Sequence, residues 1–423
     1  MKKVIVFWVV LALLAACAPR APLTPERVVE TVIVKETVEV PVVETVEVPV
    51  KETVVVTPTP EPFLFGIVLV GPKDDHGWSQ AHYVAAEYAK EHVPGSDFAV
   101  YESLVPGGEV TLEQVVDDMV SQGAKLILTT SDAFEEDTIG VAKKYPEIVF
   151  INVSGDDVLT GEAPANEGNF MGKMEYMKGA AGCTAALMTD SGTIAYLGPL
   201  INDETRRLVA SAYLGARYCY QNYRGLDPAD LRFIVTWIGF WFNLPGITLD
   251  PTIVANGFFD EGADVVISGI DTTEGLVVAK KRADEGARVF AIPYDYIGAC
   301  AEAPDICLGV PYFNWGPAYL STVKAVINGT WKQGWDWNGP DWSNINSPDT
   351  SNVGFLTGDG LPEAERAKVE EFIAGLASGE IRLFVGPLNY QDGTPYLEKG
   401  QVATDEQIWY LKQLLEGMEG PSE

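Results

Sequence analysis

Histidine is nearly absent from this sequence, with three in 423 residues, and no His or Cys falls at a zinc-ligand spacing. Positive charge is scarce too. Twenty-nine Lys and Arg stand against 60 Asp and Glu, for a formal net charge of −31. Nucleic acid and anionic membrane surfaces both require a basic footprint, so this charge excludes them as partners. Solubility through self-repulsion accounts for the acidic excess. Also missing are a G-x-S-x-G, an HExxH and a cysteine in a catalytic setting. Nothing therefore supplies the acid–base pair or activated nucleophile of an extracellular hydrolase. His76 and His82 bracket Trp78, and read as parts of a solvated turn and of a helix face. No cofactor or metal is implied, and the chain is not expected to be an enzyme.

The first residues are informative by what they contain. A basic "MKK", an apolar "VIVFWVVLALL" and a small-residue "LAAC" ending at Cys17 follow one another. That order describes a secretory signal peptide, too short and wrongly flanked for a spanning helix. Leu14-Ala15-Ala16-Cys17 further resembles the bacterial lipobox, in which the cysteine is lipidated and becomes the mature N-terminus. An ordinary cleaved leader with an incidental cysteine is the alternative. The expectation is residues 1–16 as leader and Cys17 as a lipid anchor, with the protein outside the cytoplasm.

Residues 17–62 form a segment of their own. "ETVEVPVVETVEVPVKETVVVTPTPEP" repeats a Glu-Thr-Val-Glu-Val-Pro unit with regular prolines and no aromatic or glycine. Proline removes ladder donors and favours an extended chain, so a semi-rigid spacer is expected, with a reach on the order of 140 Å for about 45 residues. Four cysteines follow Cys17. An even count in an oxidising compartment permits disulfides. Cys300 and Cys307 flank "AEAPDI", a short loop that a disulfide could close. Cys183 and Cys219 lie in helical patterns and fit packed thiols as well as a bridge.

From Phe63 onward, short apolar runs alternate with amphipathic ones. "FLFGIVLV", "DFAVYES", "KLILTT" and "IVFINV" read as strands, with helices between them. A second series runs from "YMKGAAGCTAALMTD" to "VFAIPYD", and "DICLGVPYFNWGPAYLSTVKAVING" adds one more strand and helix. This pattern is that of βαβ units and parallel sheets. An α/β protein of two doubly wound lobes is expected: residues 63–153, with 296–331 returning, form lobe 1, and 154–295, with 332–423, form lobe 2. In such sheets ligands bind beyond the carboxyl ends of the strands. Two lobes set mouth to mouth make a cleft that closes by a hinge.

The motifs "GWSQAH", "AKKYPEIVFINVSG", "YMKGAAGCTAALMT", "DEGADVV", "YFNWGPAY" and "LFVGPLNYQDG" carry a resemblance that covers Phe63 to about Gly420. The chain resembles the basic membrane lipoproteins, substrate-binding proteins of the purine-nucleoside-receptor type that serve ABC importers. The resemblance implies a type I periplasmic-binding-protein fold with three crossings, near Asn152–Lys173, Asp295–Ala299 and Trp331–Asn352. It implies a small-molecule ligand, a purine nucleoside or base, handed to an ABC permease. Within this fold a receptor for a sugar or another small metabolite, or a sensory surface protein, is the alternative.

Candidate ligand residues follow from the strand ends and the resemblance together. Trp78, in the first strand-to-helix loop, matches the family's stacking aromatic, and base–aromatic stacking contributes ~1–3 kcal/mol. Ser79 and Gln80 can hydrogen-bond a base edge, although Ser79 reads equally as a helix N-cap. Ser131 and Asp132 follow "KLILTT"; the carboxylate can accept sugar hydroxyls or cap the next helix. Trp241 follows the strand "RFIVTWI" and would face Trp78 on closure. Asp271 and Asp295 are further strand-end carboxylates. The family's ligand lysine falls at Phe313, which with Asn314 and Trp315 implies a more apolar pocket. "GTWKQGWDWNGPDW" is expected to pack at the surface of lobe 2.

Overall fold

The computed structural model describes residues 62–423; the leader, Cys17 and the spacer up to Glu61 lie outside the described residues. No helix among the described residues is long and apolar enough to cross a membrane.

The first series runs β1 (Phe63–Val68), α1 (Trp78–His92), β2 (Ser96–Tyr101), α2 (Leu112–Ser121) and β3 (Leu126–Thr129). It continues with α3 (Glu135–Lys144), β4 (Val149–Val153), α4 (Asp157–Thr160) and β5 (Glu167–Gly172). β1 lies between β2 and β3 in one parallel sheet. Both of its faces are covered by helices, so Phe65 to Val68 are buried without alternation. α2 shows the helical logic: Thr111 and Gln114 form a reciprocal capping box, and Leu112, Val115, Val116 and Met119 bury one stripe.

The second series runs α5 (Glu175–Met188), β6 (Thr193–Gly198), α6 (Asp203–Asn222), β7 (Arg232–Trp237) and α7 (Pro251–Asp260). β8 (Val265–Ser268), α8 (Glu274–Asp284) and β9 (Phe290–Ile292) complete it. These strands make a second parallel sheet in the order β7-β6-β8-β9. The remaining elements connect and edge the two sheets. β10 (Gly309–Phe313) precedes α9 (Gly316–Ile327), β11 (Trp335–Asn338) and β12 (Val353–Thr357). α10 (Glu363–Ser378), the hairpin β13 (Leu388–Asn389) and β14 (Pro395–Leu397), α11 (Asp405–Trp409) and β15 (Met418–Glu419) close the chain. β15 joins the second sheet at β7.

The boundaries differ from the sequence expectation in three places. β5 extends the first sheet by pairing with β4, so that sheet continues to Gly172 instead of ending at residue 153. β11 pairs with β5 and adds a sixth strand to the same sheet, although residues 332–352 were expected in lobe 2. The tryptophans of that stretch therefore edge the first sheet; Trp335 and Trp337 pack edge-on against Trp409. The return crossing is β10, not residues 295–299. Tyr312 bridges Asp295 at the end of the second sheet, and β10 then feeds α9, which packs on α1. β12 runs antiparallel to β10, giving two strands side by side at the hinge.

Both cysteine pairs are joined. Cys300–Cys307 closes the short loop expected from the sequence, and Cys183–Cys219 ties α5 to α6.

Lobe 1 also buries an acidic trio. Asp157 lies within reach of a shared proton with both Glu135 and Glu167. Loss of hydration pushes Glu135 up to about 7, Asp157 to about 6 and Glu167 to about 8; the charge of Asp157 adds to the rise of the two glutamates, and Asp156 and Glu162 add to that of Asp157. Folded-state values above the unfolded ones mean that the folded chain binds more protons through this range. The trio's contribution is complete below the ordinary carboxylate range and is lost as pH rises through 6 to 8. Thermal melting is expected to fall from pH 5 to pH 8. Glu167→Gln should raise the midpoint at pH 8 by roughly 2 °C or more and flatten the profile. A Glu167→Gln profile that parallels the parent's would contradict this account.

Candidate functional site

The carboxyl ends of the two sheets face one another, and the loops leaving them meet. The closest approach is backbone on backbone. A Cβ at Gly77, at the start of α1, would sit 1.6 Å from the carbonyl oxygen of Asp271, in the loop after β8. A side-chain link lies nearby: Asn202 Nδ2 donates to Asp132 Oδ2 at 2.9 Å, lobe to lobe. Between them is a cavity of about 10 Å3, lined by Val70, Trp78, Ser131, Asp132 and Ser154 from the first lobe and Glu204, Trp241 and Asp271 from the second. That is room for about one water molecule, so the lobes are closed on each other and must part to admit a ligand. The cavity shares Asp132, Ser154 and Glu204 with a wider, open mouth that reaches Asp156, Asp203 and Trp409.

Each wall has a local cause. Trp78 opens α1, and its indole N–H donates to the Thr130 carbonyl at 2.6 Å, which fixes the ring against the end of β3. Behind it, His82, Phe313 and Trp315 form a stack, with Trp315 4.5 Å from Phe313 and 4.6 Å from His82. Trp78 meets Phe313 edge-on at 5.3 Å. Trp78 thus lines the cavity with this aromatic cluster packed against it. Trp241 follows β7; its carbonyl accepts the Asp271 N–H at 2.9 Å, so the two second-lobe groups are placed together.

Four carboxyl groups gather here. Burial raises Asp271 well above the usual carboxylate range, and the nearby Asp295 adds to it. Burial also lifts Glu204 to about 8, against the pull of Arg207. Asp132 is raised by burial, and bonds from Ser131 and Asn202 oppose this. Asp295 is fully buried with backbone φ of 70°, and its carboxyl group is raised by burial against the field of Lys178. Lys178 itself is committed elsewhere: Nζ donates to the Ser268 carbonyl at 2.7 Å and lies 3.1 Å from the Tyr294 ring centre. Arg207 is likewise held, by Glu175 at 2.8 Å and against Trp409.

The sequence candidates thus divide. Trp78, Ser131, Asp132, Trp241 and Asp271 border the cavity. The others do not, for reasons of bonding and burial. Ser79 is buried, and its hydroxyl accepts the Gly71 N–H within its own loop. Gln80 accepts the His76 N–H on the outer side of that loop. Asn314 uses its amide on the carbonyls of Ser347, Pro348 and Ser351 to hold the loop before β12. Phe313 and Trp315 support Trp78 from behind, and Asp295 sits beneath Asp271. The sequence reading missed Glu204, Ser154 and Asn202. Glu204 lies in the first turn of α6, just beyond the end of β6 where the strand-end rule points, but "NDETRR" reads first as a helix start. Asn202 does cap α6, through a box with Thr205.

This architecture defines a class. Two parallel α/β lobes closing over a cavity at their strand ends form a type I periplasmic-binding-protein fold. Solved solute-binding proteins of ABC transporter systems share it. One from Aeropyrum pernix K1 matches with a TM-score of 0.61 at 18% identity, over 77% of this chain and 94% of that one. One from Conexibacter woesei matches at 0.56 and 19%, over 76% and 98%. The family model described as "ABC transporter substrate-binding protein PnrA-like" (Bmp) matches residues 64–339, and the chain belongs to that family. A purine-binding protein of Brucella abortus (strain 2308) is 28% identical over 355 residues, 84% of this chain and 92% of its own. A candidate glucose-binding protein of an ABC transporter from Haloferax volcanii is 25% identical over 272 residues, 64% of this chain and 63% of its own.

The lobe-to-lobe bond offers a direct test of closure. Asn202→Asp keeps an acceptor for the N-cap but replaces the donor to Asp132 by a like charge. A charge-assisted bond is worth about 2 kcal/mol, so the lobes should part and the solution radius of gyration should rise. An unchanged small-angle scattering curve would show that other contacts hold the cleft shut.

Proposed function

We propose that the protein is a lipid-anchored, extracytoplasmic solute receptor of an ABC importer that closes on a small planar ligand, a purine base or nucleoside, and delivers it to a membrane permease. The observation that carries this reading is the pair of indoles, Trp78 from one lobe and Trp241 from the other, lining one small cavity with carboxyl groups between them. Flat aromatic walls favour a flat ligand, and the carboxyl groups supply polar partners at its edge. The purine-binding relative, similar along most of both chains, supports the same cargo. Sugar binding is the second reading, favoured by the Haloferax volcanii relative. The anchor rests on the Leu14–Cys17 motif, and the spacer would let the receptor range outward from the membrane.

Mass spectrometry of small molecules released on denaturing gently purified protein should find a purine or nucleoside, one per chain. A sugar in its place would keep the receptor and change its cargo. Trp78→Ala should weaken purine binding roughly tenfold, the loss of about one stacked ring. Affinity within twofold of the parent's would remove Trp78 from the site. Cys17→Ser should move the protein from the membrane to the soluble fraction, and turnover of a nucleoside by the purified protein would defeat the receptor reading.

A further inference from the structure

We propose that Trp241 meets the ligand with its indole N–H and not with its ring face, and so selects a planar heterocycle that presents a carbonyl edge, a 6-oxopurine in preference to a 6-aminopurine. This rests on the purine reading above and narrows it to one edge of the ligand.

The two indoles that border the cavity are bonded differently. Trp78 gives its N–H to the Thr130 carbonyl at 2.6 Å, which leaves it only its ring to offer. Trp241 is 8% exposed, and its Nε1 is buried with no hydrogen-bond partner among the described residues. Buried N–H groups are ordinarily paired, and an indole nitrogen can donate but never accept. The N–H lies in the plane of the ring, so a ligand stacked on the face of Trp241 would leave it unpaired. A ligand that brings an acceptor to the ring edge satisfies it.

The rest of the lining is also richer in protons to give than in oxygens to receive them. Ser154 Oγ accepts the Asp132 N–H at 2.9 Å, so its own O–H remains to be given. Asp132 spends its two carboxyl oxygens on Asn202 and Ser131. Burial favours the neutral form of Asp271 and Glu204, and each then carries an O–H beside its one carbonyl oxygen. Asp271 stands next to Trp241, with its N–H on the Trp241 carbonyl at 2.9 Å. A carbonyl oxygen has two lone pairs on one atom, and can take the Trp241 N–H together with a second donor. An exocyclic amino group in the same place would set N–H against N–H. A 6-aminopurine must instead turn a ring nitrogen to Trp241, with a single lone pair.

Isothermal titration at neutral pH with hypoxanthine and adenine, and with inosine and adenosine, tests this. The Trp241→Phe protein is titrated beside the parent, because it keeps an aromatic ring and loses the donor. In the parent, the oxo member of whichever pair binds should bind roughly tenfold more tightly than the amino member. Trp241→Phe, with a melting profile that confirms folding, should cost the oxo member about tenfold and the amino member about threefold or less. Equal or tighter binding of the amino member by the parent overturns the proposal and leaves the purine reading standing. So does a Trp241→Phe loss below about threefold for the oxo member, or one equal for both members, since a stacking wall does not tell the two edges apart. Where the variant does not fold, the preference of the parent decides. Silence of the parent towards both pairs overturns the proposal and the purine reading together.

Discussion

The site exists because two backbones approach closely at Gly77 and Asp271. No side chain larger than hydrogen fits at Gly77, since a Cβ would lie 1.6 Å from the Asp271 carbonyl oxygen. That approach brings the loop after β1 against the loop after β8 and removes water from the strand ends. Everything else about the cavity follows from its dryness. Loss of hydration is the largest cause of the raised carboxyl groups of Asp271, Glu204 and Asp295, and neighbouring acids add to it. The Trp78 indole is held by a buried bond to Thr130, so it stays fixed as a wall. An open cleft would hydrate the same acids and bring them back towards the ordinary carboxylate range.

Closure of this kind needs lobes that are rigid and a hinge that is narrow. The second lobe is stiffened where α5 and α6 interlock. A Cβ at Gly182 would lie 1.8 Å from the Ala212 carbonyl, and one at Gly215 would lie 2.0 Å from that of Gly179. The Cys183–Cys219 disulfide adds a covalent tie to the same pair. Small residues let the helices touch along their backbones, so the N-termini of both are set with little play. Those ends carry Glu175 and Glu204, and Arg207 between them is fully buried on Glu175. The hinge, by contrast, is three strands of chain: the step from β5 to α5, then β10 and β12 paired antiparallel. Trp335, Trp337 and Trp409 pack beside it, and Lys173 lies over the Trp337 ring and bonds to Asp405. These contacts join the edge of the first sheet to the C-terminal segment without closing off the mouth.

Much of this was legible locally. Apolar runs such as "KLILTT" and "DVVISGI" specify buried parallel strands, and the residues just after them, Asp132 and Asp271, fall at the cavity because strand ends do. What was not legible depended on distant partners. β5, "EGNFMG", carries Glu and Asn where a buried strand would carry Val or Ile, and reads as a loop until β4 and β11 are seen on either side. β11, "WDWN", alternates as a strand does but over four residues only, too few to be read without the edge that β5 offers. Asn314 looked like a ligand group because its amide is versatile; three carbonyls of the loop 347–351 claim it. Glu204 was hidden by a competing local explanation, the helix cap beside it.

The departure at Phe313 acquires a physical sense from this arrangement. The resemblance puts a ligand lysine at that position, and a cation there would neutralise the acids below Trp78. Phe313 instead stacks on Trp315 and braces the Trp78 ring edge-on. One substitution thus trades an internal counter-charge for a firmer aromatic wall. The acids at the strand ends remain, and burial favours their neutral form. A receptor built this way couples ligand binding to the burial of its acids. Shutting the empty cleft desolvates these acids, a cost that favours the open form. A ligand that removes that cost shifts the balance towards the closed one by as much as its differential affinity allows.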